Sequence, residues 1–78
     1  AIDRLVVQKL QGKAIGAQVI DFKTDDISQP GVFEARVELY RPQLAAYCDA
    51  VARLYNLPRS TVNSRLVFVN GDKTITLP

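Results

Sequence analysis

The chain has 78 residues, of which 47% are hydrophobic, which fits one small globular domain rather than a disordered segment. Its formal net charge of +2 is too small to indicate a nucleic-acid-binding protein by charge alone. The composition, with 1 cysteine and 0 histidines, excludes an internal disulfide and a zinc site built from Cys and His, and a lone cysteine suits a reducing, cytoplasmic setting. No apolar run approaches the ~20 residues that a membrane span requires, so we expect no membrane partner.

The first third of the sequence predicts two β-strands joined by a tight turn. Apolar residues are dense from Ile2 to Leu10 and again from Ala14 to Phe22, with a Gly-containing turn signal between them. Strands so close in sequence pair as an antiparallel hairpin by default. A register centred on Gly12 would place Asp3 opposite Asp21, because both are equally far from it, unless a bulge shifts the pairing.

A polar loop with Pro30 leads into a segment whose apolar period becomes helical, from Val32 to Tyr55. Pro42 interrupts this segment. It marks either the first turn of the main helix or a kink in a longer one, and the sequence leaves both readings open. The tripeptide Asn56-Leu57-Pro58 ends the helix.

Two further strands complete the predicted order β-β-α-β-β. Thr61 to Val69 forms the third strand, and Asn70-Gly71 is a strong hairpin signal before a short fourth strand from Lys73 to Leu77. We therefore expect an α/β fold in a single domain over residues 1–78. Because the sequence opens directly in a strand, we expect it to be part of a longer polypeptide.

The stretch "VIDFKTDD" places an acid and a base at the end of an apolar strand. Side chains at i and i+2 share a face of a strand, so Asp21 and Lys23 point the same way, and Phe22 points the other way. A carboxylate can bind a hard cation such as Mg²⁺, and a lysine can stabilise charge on a phosphate. Because Mg²⁺ favours a further anionic ligand, a nearby Asp3 would make this pair a site for phosphodiester hydrolysis.

A simpler interpretation stands beside this one. An i, i+2 Asp/Lys pair at a strand end is usually a solvated salt bridge that contributes little. On that view the fold is a generic α/β domain whose acids decorate the surface. Asp25 and Asp26 are expected to be solvated loop residues, and Tyr40 is expected to be a core or interface aromatic.

Three blocks, "IDRLVV", "VIDFKTD" and "YRPQLAAYCDAV", stand in the same order as in the nuclease domains of the RecB and AddA family. The chain resembles this family of the PD-(D/E)XK superfamily from Ile2 to Tyr55, and most resembles members at the C-terminal end of UvrD/Rep-type helicase–nucleases, the exonuclease V beta subunits. An isolated D-x-K is a weak signal, whereas three blocks in order are specific. The resemblance implies a restriction-endonuclease-like core, a mixed sheet of about four strands with one long helix.

The resemblance also implies roles for individual residues. Asp3 matches the first metal-binding aspartate of the family, and Asp21 matches the acidic residue of the (D/E)XK motif and the second metal ligand. Lys23 matches the catalytic lysine. The backbone carbonyl of Phe22, at the middle position of the motif, would complete the shell of a Mg²⁺ ion, for which Mn²⁺ would substitute.

The third block supplies a Q-x-x-x-Y motif. Gln43 and Tyr47 match it, and in the family this motif lies near the active site and helps to bind DNA. From the residues alone, Gln43 is equally a buried amide satisfied by a backbone group.

The activity implied by the resemblance is Mg²⁺-dependent hydrolysis of DNA by the C-terminal nuclease module of a helicase–nuclease in double-strand break repair and recombination. Its partners would be DNA, the helicase domains of the parent chain and a second helicase–nuclease subunit. Two departures favour an alternative, a catalytically incomplete DNA-binding or structural module of a UvrD/Rep-type helicase. The family supplies another His or Glu from an upstream helix, which this sequence lacks, and the interval from Asp3 to Asp21 is long for the family. Self-association as a homodimer would cover sheet surface left exposed.

Overall fold

The computed structural model describes residues 2–78 and contains one mixed sheet with one long helix. The elements are β1 (Arg4–Leu10), β2 (Lys13–Lys23), α1 (Val32–Leu54), a short 3₁₀ turn (Arg59–Thr61), β3 (Val62–Phe68) and β4 (Lys73–Leu77). The strands lie in the order β1-β2-β3-β4, with β2 and β3 parallel and the two outer pairs antiparallel. The predicted α/β class and element order are confirmed, and the bounds of every element lie within two residues of the predicted ones.

The register of the first hairpin combines a tight turn with a bulge. The two-residue turn has positive φ at both Gln11 (52°) and Gly12 (78°), the backbone twist that two-residue hairpins favour. Its centre lies half a residue before the predicted one. The pairing then shifts between Gln8 and Lys9, because Ile15 is an extra residue in β2. Beyond this bulge the two residues of each pair are equally far from position 12, as in the predicted register, and Arg4 faces Ile20.

Helix α1 connects β2 to the parallel strand β3 and covers one face of the sheet. Parallel neighbours need such a crossover, and the helix buries its apolar stripe against the strands. The buried core contains Ala17 and Val19 of β2, Val62, Leu66 and Phe68 of β3, Leu77 of β4, Ile27 of the loop, and Val37, Leu44, Cys48, Val51 and Ala52 of α1.

Pro42 lies inside α1 at an exposed position, so it does not mark the first turn of the helix. The helix ends where the sequence predicts, for a reason that the backbone shows. Asn56 has a positive φ of 54°, and its N–H and that of Leu57 donate to the carbonyls of Arg53 (3.2 Å) and Ala52 (2.8 Å). This is a Schellman motif with Asn at the left-handed position. Within residues 2–78, no helix is both long and apolar enough to cross a membrane.

The loop after β2 is fastened to the hairpin between β3 and β4. That hairpin has a four-residue loop, 69–72, rather than the two-residue Asn-Gly turn that the sequence suggests. Gly71 is needed for close approach, because a Cβ atom there would overlap the buried side chain of Ile27. Asn70 Nδ2 donates to the carbonyl of Thr24 at 2.5 Å, and the Val69 N–H donates to that of Lys23 at 3.0 Å. The end of β2 is therefore held in a fixed position.

The opposite face of the sheet has no helix over it within the described residues. Phe22 and Val6 lie on this face and are substantially exposed. Ile20 lies between Arg4 and Arg65 of the neighbouring strands and is nevertheless buried. Association of two copies through this face stays a prediction.

Candidate metal centre

Strand β2 carries the central acid and base on the face that α1 covers. Asp21 alternates with Ile20 and Phe22, and it lies on the same side as Val19 and Lys23, as strand geometry predicts. Asp21 is only 3% exposed. A carboxylate buried this deeply beside an apolar core requires partners, because burial penalises its charge.

A second acid, the exposed Asp3, lies just before β1. Its Oδ2 atom accepts a hydrogen bond from the backbone N–H of Phe22 at 2.8 Å. The last backbone pair of the hairpin is Arg4 with Ile20, and the next position along each strand is Asp3 and Asp21. The carboxyl groups of these two residues are in contact. The two acids that the sequence places on facing strands thus meet side by side.

The two carboxyl groups have pKa values displaced in opposite directions. Burial raises the pKa of Asp21 above its ordinary value, and the neighbouring carboxyl of Asp3 raises it further. The contact with Asp21, followed by the hydrogen bond from the Phe22 N–H, lowers the pKa of Asp3. Adjacent like charges resist ionising together, so a proton on the pair resides preferentially on Asp21. A divalent cation would relieve the same repulsion.

Lys23 places an ammonium beside the pair. Its Nζ atom lies 3.0 Å from Asp21 Oδ2, and the two side chains are only 21% and 4% exposed. Burial of Lys23 opposes its charge, but the contact with Asp21 outweighs this and leaves the pKa of Lys23 above its ordinary value. The group is therefore charged near neutral pH, and a solvated surface ion pair does not describe it.

The oxygen atoms present fit a hard divalent cation. Asp21 Oδ2 is buried and has no aligned hydrogen-bond donor, even though Lys23 Nζ is close to it. An unsatisfied buried carboxylate oxygen next to a second carboxylate is a ligand set that Mg²⁺ or Mn²⁺ accepts. No third His, Cys, Asp or Glu joins this pair in the part of the chain that the structure describes. Mg²⁺ is commonly held by one or two carboxylates together with waters and substrate phosphate, so two acids suffice. The Phe22 carbonyl stays a predicted ligand.

A tyrosine and an aspartate that the sequence did not assign to the site also lie against Lys23. The Lys23 Nζ atom lies 4.2 Å from the ring centroid of Tyr40. The Tyr40 hydroxyl donates to Asp25 Oδ2 at 2.7 Å, and Arg36 Nε lies 3.4 Å from the same oxygen. Asp25 is thus an anchor for the helix rather than a solvated loop residue. Asp26 is exposed and accepts from the Ser28 N–H at 3.0 Å, as expected of a loop.

The Q-x-x-x-Y residues lie farther along the same stripe of α1. Gln43 is exposed and Tyr47 is half-buried against the core. They follow Tyr40 by about one and two turns, so all three line one side of the helix. Over residues 2–78, neither side chain hydrogen-bonds to Asp3, Asp21 or Lys23, and their contact with DNA stays a prediction. The spacing from Gln43 and Tyr47 back to Tyr40 was the sequence signal that could have identified Tyr40.

Comparison with known proteins gives one match. A family model described as the PD-(D/E)XK nuclease superfamily matches residues 1–76. No curated protein and no solved structure matches the chain. The matched range contains the whole cluster of Asp3, Asp21 and Lys23.

Proposed function

The chain belongs to the PD-(D/E)XK nuclease superfamily, and on that premise we propose that it hydrolyses DNA phosphodiester bonds with a divalent cation held by Asp3 and Asp21. The observation that carries the proposal is the contact between these two carboxyl groups, together with the buried Oδ2 atom of Asp21, which pairs with Lys23 but has no aligned hydrogen-bond donor. The ammonium of Lys23 beside them supplies a positive charge for the phosphate.

The chemistry divides between the bound ion and the residues of the chain. When bound, Mg²⁺ or Mn²⁺ supplies Lewis acidity toward the phosphate and toward water. Asp3 and Asp21 hold the ion, and the Phe22 carbonyl is the third ligand that we propose. The Lys23 ammonium donates hydrogen bonds to the phosphate oxygens, on which negative charge grows in the transition state. Because α1 covers this face of the sheet, Lys23 acts in a partly dehydrated setting, where such contacts are stronger.

We further propose that the chain is the nuclease module of a RecB/AddA-type helicase–nuclease that acts in the cytoplasm in double-strand break repair and recombination. The three ordered sequence blocks support this assignment. DNA, the helicase domains and a second helicase–nuclease subunit are its proposed partners, and Gln43 and Tyr47 are its proposed DNA contacts. Two acids suffice to hold the ion, but within residues 2–78 no further His, Cys, Asp or Glu joins them to act on water. This favours one alternative, a DNA-binding or structural module of a UvrD/Rep-type helicase without catalysis of its own.

Calorimetry with Mg²⁺ and Mn²⁺, combined with cleavage of linear DNA, tests the proposal. We expect Asp21→Asn to lose both metal binding and cleavage. We expect Lys23→Met to keep metal binding and to lose cleavage by about 100-fold or more, the effect of removing one charge-stabilising donor. Asp26→Asn, which changes an exposed acid of the neighbouring loop, serves as the matched control and should change neither.

Two results would reject the nuclease assignment. One is failure of the wild-type chain to bind either ion at millimolar concentration. The other is equal DNA cleavage by the wild type and Asp21→Asn. Metal binding without cleavage would support the alternative module.

A further inference from the structure

The ammonium of Lys23 lies between two groups of different kinds. On one side Asp21 Oδ2 lies 3.0 Å away, and on the other the ring centroid of Tyr40 lies 4.2 Å away. The first contact is an ion pair and the second is a cation–π interaction, since a cation within about 6 Å of an aromatic face is attracted by the ring quadrupole. Lys23 is thus held by contacts from two elements, its own strand β2 and the helix α1.

The contacts with Asp21 and with Tyr40 differ in how they occupy the N–H donors of the Lys23 ammonium. A carboxylate that shares its charge with a divalent cation attracts a lysine less strongly, so Asp21 alone would hold Lys23 weakly in the working site. The face of an aromatic ring attracts the whole ammonium without acting as a directional acceptor. A lysine held partly by a ring therefore commits fewer of its three N–H donors to acceptor atoms of the protein than one held by carboxylates alone, and the others are available for phosphate oxygens or water.

The Tyr40 ring is itself fixed. Its hydroxyl donates to Asp25 Oδ2 at 2.7 Å, and Asp25 is half-buried and pairs with Arg36 at 3.4 Å. The carbonyl of Thr24, next to Asp25, accepts a hydrogen bond from Asn70 at 2.5 Å. The ring is therefore held at its hydroxyl end by a loop that the β3–β4 hairpin fastens, and at its base by α1.

We propose that Tyr40, held by Asp25, is a positioning residue for Lys23. Its ring keeps the ammonium beside the Asp21 carboxylate, with N–H groups directed to the place of the scissile phosphate. The catalytic consequence of this arrangement rests on the proposed nuclease function, whereas the arrangement itself does not.

Nuclear magnetic resonance tests the arrangement without any enzyme activity. A ring this close shifts the Cε protons of Lys23 upfield of those of the other lysines. We expect Tyr40→Leu to return them to the ordinary lysine position and Tyr40→Phe to keep most of the shift. Tyr55→Leu removes another half-buried tyrosine, at the far end of α1, and should leave the Lys23 signals unchanged. Lys23 signals at the ordinary position in the wild type would overturn the inference.

Steady-state DNA cleavage at saturating Mn²⁺ tests the consequence. We expect Tyr40→Leu to lower kcat by about 3- to 30-fold, the range of a partly desolvated cation–π contact, with KM and metal affinity nearly unchanged. Tyr40→Phe keeps the ring and should recover most of kcat, whereas Asp25→Asn should reproduce only the small deficit of Tyr40→Phe. An unchanged kcat in Tyr40→Leu, or an equal loss in Tyr40→Phe and Tyr40→Leu, would overturn the positioning role.

The two readouts separate the inference from the function on which it rests. A wild-type chain that binds Mn²⁺ and leaves DNA intact overturns the nuclease proposal, and the Lys23 signals then decide alone whether Tyr40 holds the ammonium. A wild type that cleaves DNA while Tyr40→Leu cleaves with the same kcat overturns the inference and leaves the nuclease proposal standing.

Discussion

At the residue scale, Asp21 is the position where the proposed function opposes stability. Its carboxyl is 3% exposed, contacts a second carboxyl and keeps an oxygen without an aligned donor. Each of these features destabilises the metal-free fold, because a buried charge with incomplete pairing retains much of its desolvation cost. Val19, two residues earlier on the same face, is fully buried, so the strand is apolar immediately before Asp21.

Asp21→Asn should stabilise the metal-free chain while it abolishes metal binding. The amide removes the like-charge contact with Asp3 and can donate a hydrogen bond to it. The raised pKa of Asp21 already includes its favourable contact with Lys23, so the ionised carboxyl is less stable in the folded chain than in the unfolded chain. We therefore expect Asp21→Asn to raise the free energy of unfolding at neutral pH. Urea unfolding with chelator present measures it. A midpoint lower than that of the wild type would show instead that the pairing of Asp21 with Lys23 is the dominant interaction.

The pKa displacement of Asp21 predicts how stability depends on pH. Its folded pKa lies above the ordinary value of 3.8, so above pH 3.8 the folded chain binds more protons than the unfolded chain. The stability contributed by Asp21 is therefore lost as the pH rises through that raised pKa. The pKa of Asp3 is lowered, so the stability that Asp3 contributes is lost as the pH falls below 3.8, the opposite of the trend for Asp21. We expect the unfolding midpoint, measured without metal, to fall more steeply with pH above 3.8 in the wild type than in Asp21→Asn; parallel profiles would contradict this.

At the scale of single elements, α1 combines a strong end signal with a weak point in its interior. The Schellman motif at Asn56 fixes where the helix ends. Pro42 cannot donate to the carbonyl of Glu38 one turn earlier, and its ring crowds that turn. The helix nevertheless runs from Val32 to Leu54, because its apolar stripe is buried against the sheet and packing outweighs local propensity.

Pro42→Ala should therefore stabilise the fold. The exposed position gains a backbone hydrogen bond and loses a steric conflict, and part of that gain is offset because the unfolded chain becomes more flexible. We expect a net increase of roughly 1–2 kcal/mol in the free energy of unfolding, read from urea denaturation. Pro58→Ala, outside the helix, is the control and should be neutral or slightly destabilising. Loss of stability in Pro42→Ala would mean that the local shape imposed by the proline is needed for packing.

At the scale of the whole molecule, the proposed cation would connect segments of the chain that are not adjacent in sequence. Asp3 lies before β1 and Asp21 near the end of β2, while Lys23 connects the pair to α1 through Tyr40. A ligand that binds these groups only when they are assembled stabilises the entire fold by mass action.

Mg²⁺ or Mn²⁺ should raise the thermal unfolding midpoint of the wild type. A free ion concentration of about 100 times Kd adds about 2.7 kcal/mol, which corresponds to a rise of roughly 10–20 °C for a domain of this size. Scanning calorimetry measures the shift, with Asp21→Asn as the variant that should show none. An equal rise in both proteins would place the stabilising ion elsewhere.

The sequence determined those features that depend on near neighbours in the chain. The order of the elements, the end of α1 at Asn56 and the placement of Asp21 and Lys23 on one face of β2 all follow from strand and helix periods or from turn residues. The register that brings Asp3 to Asp21 was predicted through a turn centred on Gly12. It arises instead from a turn at Gln11-Gly12 and a compensating bulge at Ile15.

Only the tertiary structure decided what surrounds Lys23. Tyr40 and Asp25 meet beside it because α1 packs across the sheet at one particular angle and because the loop after β2 is fastened to a hairpin nearly fifty residues away. A sequence pattern records the period of each element, but it does not record the rotation and offset of a helix on a sheet. Those depend on how the buried side chains of both fill space together, and no local signal carries that information.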